Sequence, residues 1–213
     1  MFDIDFTKYK LVDLSLEVTL NQTEPYRPFE ATLGKLGDGT NKYDITKTHT
    51  HVGTHIESPW HFYGKDAKTC TDYPLEKFMG KATTADGWLE PGEDRVSLAT
   101  IRKQLDPRRG KFSMLYVRNK TDQRPLRFSF DVVPYFAEFG LDLFIFDSTI
   151  EFGEGLQNGL DFHDKMMSRD TLLVEFPANG PALDKEFFFI VGLPLRIKGL
   201  DSSWCRLVAI VDK

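Results

Sequence analysis

A chain of 213 residues with 41% apolar and 28% charged side chains has ordinary globular composition, which excludes disorder and fibrous repeats and leaves room for one sizeable core. The formal net charge of -5 is dispersed, and the basic cluster Arg108-Arg109-Gly110-Lys111 reads as a solvated turn, so no nucleic-acid partner is expected. No apolar stretch approaches the roughly 18 residues needed to span a bilayer. The opening Met1-Phe2-Asp3-Ile4-Asp5 is acidic where a secretory signal is basic, so a cytoplasmic protein with no membrane attachment is expected.

In chain order, runs rich in β-branched, aromatic or leucine residues predict strands at Leu11 to Leu20 and Tyr43 to Ile56. A helix over Ser97 to Leu105, with Ser97 as its cap, precedes a strand at Ser113 to Val117. Apolar residues at helical spacing predict a helix over Asp131 to Phe139, followed by a strand at Leu141 to Phe146. A helix over Asp161 to Arg169 would carry His163 near its start, and strands follow at Leu172 to Phe176 and Arg206 to Val211. The run Phe187-Phe-Phe-Ile-Val191 suits either a core or an interface. Strands with single inserted helices, lacking a regular βαβ rhythm, predict an α/β domain of α+β character: a single domain over residues 1–213, with a mixed β-sheet core and a few helices.

The chemistry concentrates in one segment. Four of the five histidines, His49, His51, His55 and His61, fall within Thr48-His-Thr-His-Val-Gly-Thr-His-Ile-Glu-Ser-Pro-Trp-His61. Cys70 and Cys205 stand far apart without the spacing of a thiolate site, so any metal must be held by nitrogen and oxygen. Alternation places His51, His55 and Glu57 on one side of a strand, a set of two imidazoles and a carboxylate suited to Zn²⁺ or Mn²⁺. An extended strand would hold His51 and His61 roughly 33 Å apart at about 3.3 Å per residue. The chain must therefore bend, by a bulge at Gly53 and a turn at Ser58-Pro59. His49 reads as a packing or surface residue, and Tyr26 and Trp60 as pocket candidates ranked no higher than packing.

The segment His51-Val-Gly-Thr-His55-Ile-Glu57-Ser-Pro-Trp-His61-Phe62 resembles the His-x-Gly-Thr-His-x-Asp-x-Pro-x-His-Phe motif of the cyclase family, which includes bacterial kynurenine formamidases and isatin hydrolases. Weaker similarity runs through Asp13-Leu14-Ser15, Pro74-Leu75-Glu76, Phe146-Asp147-Ser148 and the closing Gly192 to Ser203. The resemblance implies a fold of the swivelling β/β/α type. It also implies one or two metal ions held by His51, His55 and Glu57 together with His163 and Glu175, with His61 as the general acid and base. Two departures stand out: Glu57 replaces the family's Asp, moving the carboxylate by about 1.5 Å if extended, and Ser202 stands where Gly is frequent.

For activity, the resemblance implies an arylformamidase- or isatin-hydrolase-like amidohydrolase, acting on a small molecule as a homodimer or homotetramer. Two alternatives share the same residues. One is a metal-dependent lyase or dehydratase; the other is a catalytically degenerate homologue that binds a metal or ligand, a possibility raised by Glu57.

Overall fold

Strand alternation divides the core into two layers. The computed structural model describes residues 5–22 and 27–213; Tyr26 lies outside the described residues. In chain order the elements begin with β1 (Tyr9–Asp13), β2 (Glu30–Lys35), β3 (Asn41–Lys47), β4 (His55–Glu57) and the short helix α1 (Pro59–Tyr63). They continue with β5 (Met79–Gly87), α2 (Leu98–Leu105), β6 (Met114–Asn119), β7 (Leu126–Phe128), α3 (Val132–Ala137), β8 (Leu143–Phe146) and β9 (Ile150–Phe152). The last are α4 (Gly155–Met167), β10 (Leu172–Glu175), β11 (Phe187–Pro194) and β12 (Ser202–Asp212).

The main sheet has the order β1-β12-β11-β5-β6-β8-β10-β4 and closes because β12 also pairs with β4. The eleven residues of β12 make closure possible. Val208–Asp212 pair with β1, and Ser202–Trp204 pair with β4. Thus β4, the shortest of the main-sheet strands, is held on both sides: Glu175 of β10 lies opposite His55, and Trp204 of β12 lies opposite it on the other edge.

Ile56, Met114, Tyr116, Leu143, Ile145, Leu172 and Val174 fill the ring's interior. Their neighbours Leu115, Val117, Phe144, Phe146 and Leu173 point outwards into a second apolar layer beneath the helices. Phe162 of α4 stacks on Phe152 with centroids 4.6 Å apart and meets Phe144 at 5.7 Å. Each such ring contributes ~1.5–3 kcal/mol on burial, so α4 is pinned against the sheet, and with it His163.

The mixed sheet with few helices agrees with the sequence reading, but several particulars differ. The run β5-α2-β6-α3-β8-α4-β10 does form parallel crossovers. It escapes notice because β5, Met-Gly-Lys-Ala-Thr-Thr-Ala-Asp-Gly, is built from small and polar residues rather than a β-branched run. The strand expected from Tyr43 to Ile56 is two strands, β3 and β4, separated by an irregular loop. The strand expected from Leu11 to Leu20 ends at Asp13, since the chain leaves β12 there. Helix α4 starts at Gly155, well before Asp161, so His163 lies deep within it; Gly155 and Gly159 conceal the helical pattern. Among the described residues, no helix is long and apolar enough to cross a membrane.

Candidate metal centre

The site sits where β4, β10, the N-terminal end of β12, α1 and α4 meet. In the loop before β4, Gly53 adopts φ +69, a conformation that favours glycine, and an added Cβ would lie 2.5 Å from Val18 Cγ2. The Thr54 hydroxyl accepts the Leu16 N–H at 2.7 Å and donates to the Phe176 carbonyl at 2.6 Å, so the loop is tied to the end of β10. Phe176 itself has φ +53, a strained conformation for a bulky residue, and stacks on the His55 ring at 5.8 Å.

Pro59 opens α1. The preceding Ser58 donates its hydroxyl to the Asp201 carbonyl at 2.7 Å instead of capping the helix. The expected bend is therefore a loop at Gly53 and a helix from Pro59, rather than a bulged strand and a turn. His51 comes from the loop and His61 from the helix; only His55 and Glu57 share a strand face. Trp60, the second residue of the same helix, is half-buried, and His49 is exposed, its Nδ1 accepting the His51 N–H at 3.2 Å.

Six side chains named by the sequence converge. Glu57, only 2% exposed, lies at the centre. Its Oε1 is 3.0 Å from His51 Nδ1, 3.5 Å from His55 Nε2 and 3.6 Å from His61 Nε2, and its Oε2 is 3.4 Å from His163 Nε2. Glu175 Oε2 stands 3.8 Å from His55 Nε2. The sequence reading missed Asp201, whose Oδ2 lies 2.9 Å from His51 Nε2 and 3.1 Å from His61 Nδ1, while Oδ1 accepts the Thr50 hydroxyl at 3.0 Å. Ser202, the departure from the family's glycine, brings its hydroxyl to 3.2 Å from the same His51 nitrogen. The one available signal was that Asp201 lies in the closing segment that resembles the family.

The outer nitrogen of every imidazole is occupied. His55 Nδ1 meets the Gly53 carbonyl at 2.9 Å and His163 Nδ1 meets the Gly159 carbonyl at 2.7 Å; carbonyls only accept, so both Nδ1 atoms carry protons. On neutral rings, the Nε2 lone pairs of His55 and His163 then face a carboxylate that also only accepts. Glu57 Oε2 is buried with no hydrogen-bond partner among the described residues. Such an array of facing lone pairs repels unless positive charge lies among them. The residues thus fit a metal ion: the sets His51, His55, Glu57 and Glu57, His61, His163 each bring their ligand atoms within 4.8 Å of one another, as do His51, His61 and Asp201. Outer partners of this kind fix the tautomer of metal-binding histidines. The thiols of buried Cys70 and half-buried Cys205 offer no competition, since desolvation pushes both up to about 12.

Protons can supply the same charge. Burial opposes a charge on His51, but Glu57 and Asp201 outweigh it and lift its pKa to about 9. His163 is also raised, with burial opposing and Glu57 prevailing. Burial would raise Glu57, yet the histidines His163, His51 and His55 hold it well below the usual carboxylate range. Glu175 is raised, first by burial and then by the charge of Glu57. Asp201 is drawn down to about 2 against burial by hydrogen bonds from His51, His61 and Thr50.

In chelator-treated protein, the His51 contribution to stability is complete below 6.5 and is lost as pH rises through about 9. The urea midpoint of metal-free protein should fall across that interval, and a flat profile would contradict the pairing. Metal binding should release protons over the same range.

A family model named Cyclase matches residues 12–149. The chain belongs to the Cyclase family. Its fold is similar to isatin hydrolase A from Labrenzia aggregata bound to benzyl benzoate, with 18% identity, a TM-score of 0.74, and coverage of 96% of this chain and 94% of that one. It is also similar to an isatin hydrolase bound to the product analogue thioisatinate: 15% identity, TM-score 0.73, coverage 98% and 94%. A third structure, described as a potential metal-dependent hydrolase with cyclase activity, has 18% identity, a TM-score of 0.70 and coverage of 95% and 98%. At these identities the likeness to solved Cyclase-family structures shows a shared fold, and the side-chain geometry must carry the chemistry.

Proposed function

We propose that this Cyclase-family protein is a metal-dependent hydrolase that cleaves a carbon–nitrogen amide bond in a small linear formamide or cyclic amide. The observation that carries this reading is the convergence of four imidazoles, with outer nitrogens occupied, on the buried Glu57 carboxylate. The isatin hydrolases among the structural relatives support the choice of bond. His51, His55 and Glu57 would hold one ion, and Glu57, His163 and Glu175 a second; Zn²⁺ and Mn²⁺ suit this nitrogen and oxygen set. When bound, the cation supplies Lewis-acid charge that favours ionisation of water and polarises a carbonyl.

The remaining steps belong to the protein's own groups. Asp201 accepts the Nδ1–H of His61, leaving His61 Nε2 as the basic atom, directed at the Glu57 carboxylate. His61 Nε2 takes a proton from the attacking water and returns it to the departing amide nitrogen. The charged ring formed between these transfers is stabilised by Asp201, as a carboxylate stabilises an imidazolium in other hydrolytic sites. Buried Glu57 and β4, clamped between β10 and β12, hold these groups in place.

Metal-loaded and chelator-treated protein, assayed against aryl formamides and lactams with product masses recorded, tests the reading. Hydrolysis adds one water to the mass of a lactam, or to the summed mass of the amine and formate released from a formamide, in the loaded protein only. Loss of water from a substrate would instead identify a dehydratase, and stoichiometric metal with no turnover a binding protein.

A further inference from the structure

A cavity of about 260 Å³ opens beside His163 and Glu175, walled by Phe146, Ile150, Phe152 and Gly159. We propose that it receives an uncharged apolar group of the amide substrate, such as a single substituted ring, and that the absence of a side chain at Gly159 makes room for it. The inference rests on the hydrolase reading of the adjoining centre, because His163 and Glu175 belong to both.

Three observations support it. An apolar cavity of about 150 Å³ is enough for benzene, so a volume of about 260 Å³ has room for one substituted ring. Among the described residues, the lining includes no Lys or Arg to pair with an anionic group, and its two carboxylates are already engaged, Glu151 by Arg127 at 3.1 Å and Glu175 by the adjoining centre. Gly159 lies inside α4 without a positive φ, and a Cβ there would meet nothing within 4 Å. Glycine inside a helix is destabilising relative to alanine, and neither crowding nor backbone conformation requires it here. Its effect is to keep the cavity open. Gly155 also lines the cavity, but its φ of +76 makes a side chain there strained, so Gly159 is the position to fill.

Gly159→Leu projects a side chain into the cavity while keeping the backbone carbonyl that meets His163 Nδ1 at 2.7 Å. The ratio of kcat/KM for formanilide to that for N-methylformamide, which share the formyl C–N bond but differ in the ring, should fall by at least about tenfold. Metal content measured by mass spectrometry should stay at the wild-type value. Independently of turnover, crystals soaked in bromobenzene should show bromine anomalous density between Ile150, Phe152 and Gly159 in the wild type, and none there in Gly159→Leu.

An unchanged substrate ratio, or bromine only at other places, overturns the pocket even if the amides are hydrolysed. Bromine at the expected place in a metal-loaded protein that hydrolyses no amide upholds the cavity's apolar specificity and overturns the hydrolase reading instead.

Discussion

Replacing Glu57 by Gln should lower metal affinity by more than about 100-fold, beyond the 10–100-fold seen when a partner of a ligand is lost. Gln matches Glu in shape, so the effect isolates charge and acceptor capacity. One carboxylate now faces His51, His55 and His61 through Oε1 and His163 through Oε2. An amide would turn a donor NH₂ towards one of these two groups, and the negative charge that balances a cation would be gone.

Glu57→Asp should behave differently. Shortening by one methylene keeps the charge but withdraws the carboxylate by about 1.5 Å, so metal should be retained at reduced occupancy and the His163 side should suffer first. Metal analysis together with anomalous difference maps reads both variants. Wild-type metal content in Glu57→Gln would remove Glu57 from the centre.

The second large effect separates His61 from the proposed metal ligands. His61→Ala should keep stoichiometric metal and lower kcat by about 10²–10⁴, the usual range for a general acid–base group. His55→Ala should strip the ion, because His55 is wholly buried and its Nε2 lies close to both Glu57 and Glu175. Asp201→Asn removes the negative charge shared by His51 and His61 and should lower both metal affinity and turnover, each by a smaller factor. Full activity in His61→Ala, or metal loss equal to that in His55→Ala, would overturn the division of roles.

Much of this arrangement is legible in the chain. The repeated histidines between Thr48 and His61 sit among residues that interrupt extended structure, Gly53 and Pro59, so the need for convergence could be read from spacing alone. The apolar runs of β6, β8 and β10 announce themselves because both faces are buried and every residue contributes to one layer or the other. The cap at Ser97, which accepts the Thr100 N–H at 3.4 Å, marks the start of α2 for a local reason.

Other parts are not local. In sequence, Asp201 is one aspartate among many acids, and it becomes part of the site only because β12 pairs with β4 and carries it to His51 and His61. The small, polar β5 is a strand because β11 and β6 flank it, supplying from outside the hydrogen bonds and burial that its own side chains do not advertise.

By itself, then, the sequence determined which atoms could bind a cation and that the segment near residue 50 must fold back on itself, since ligand type and backbone freedom are properties of individual residues. Only the tertiary structure decided that Glu57 stands at the centre, that a distant aspartate holds two of the imidazoles, and that an apolar cavity adjoins His163. Those are relations between surfaces brought together by the closure of the sheet and the packing of α4, and no local pattern encodes a distance across a ring.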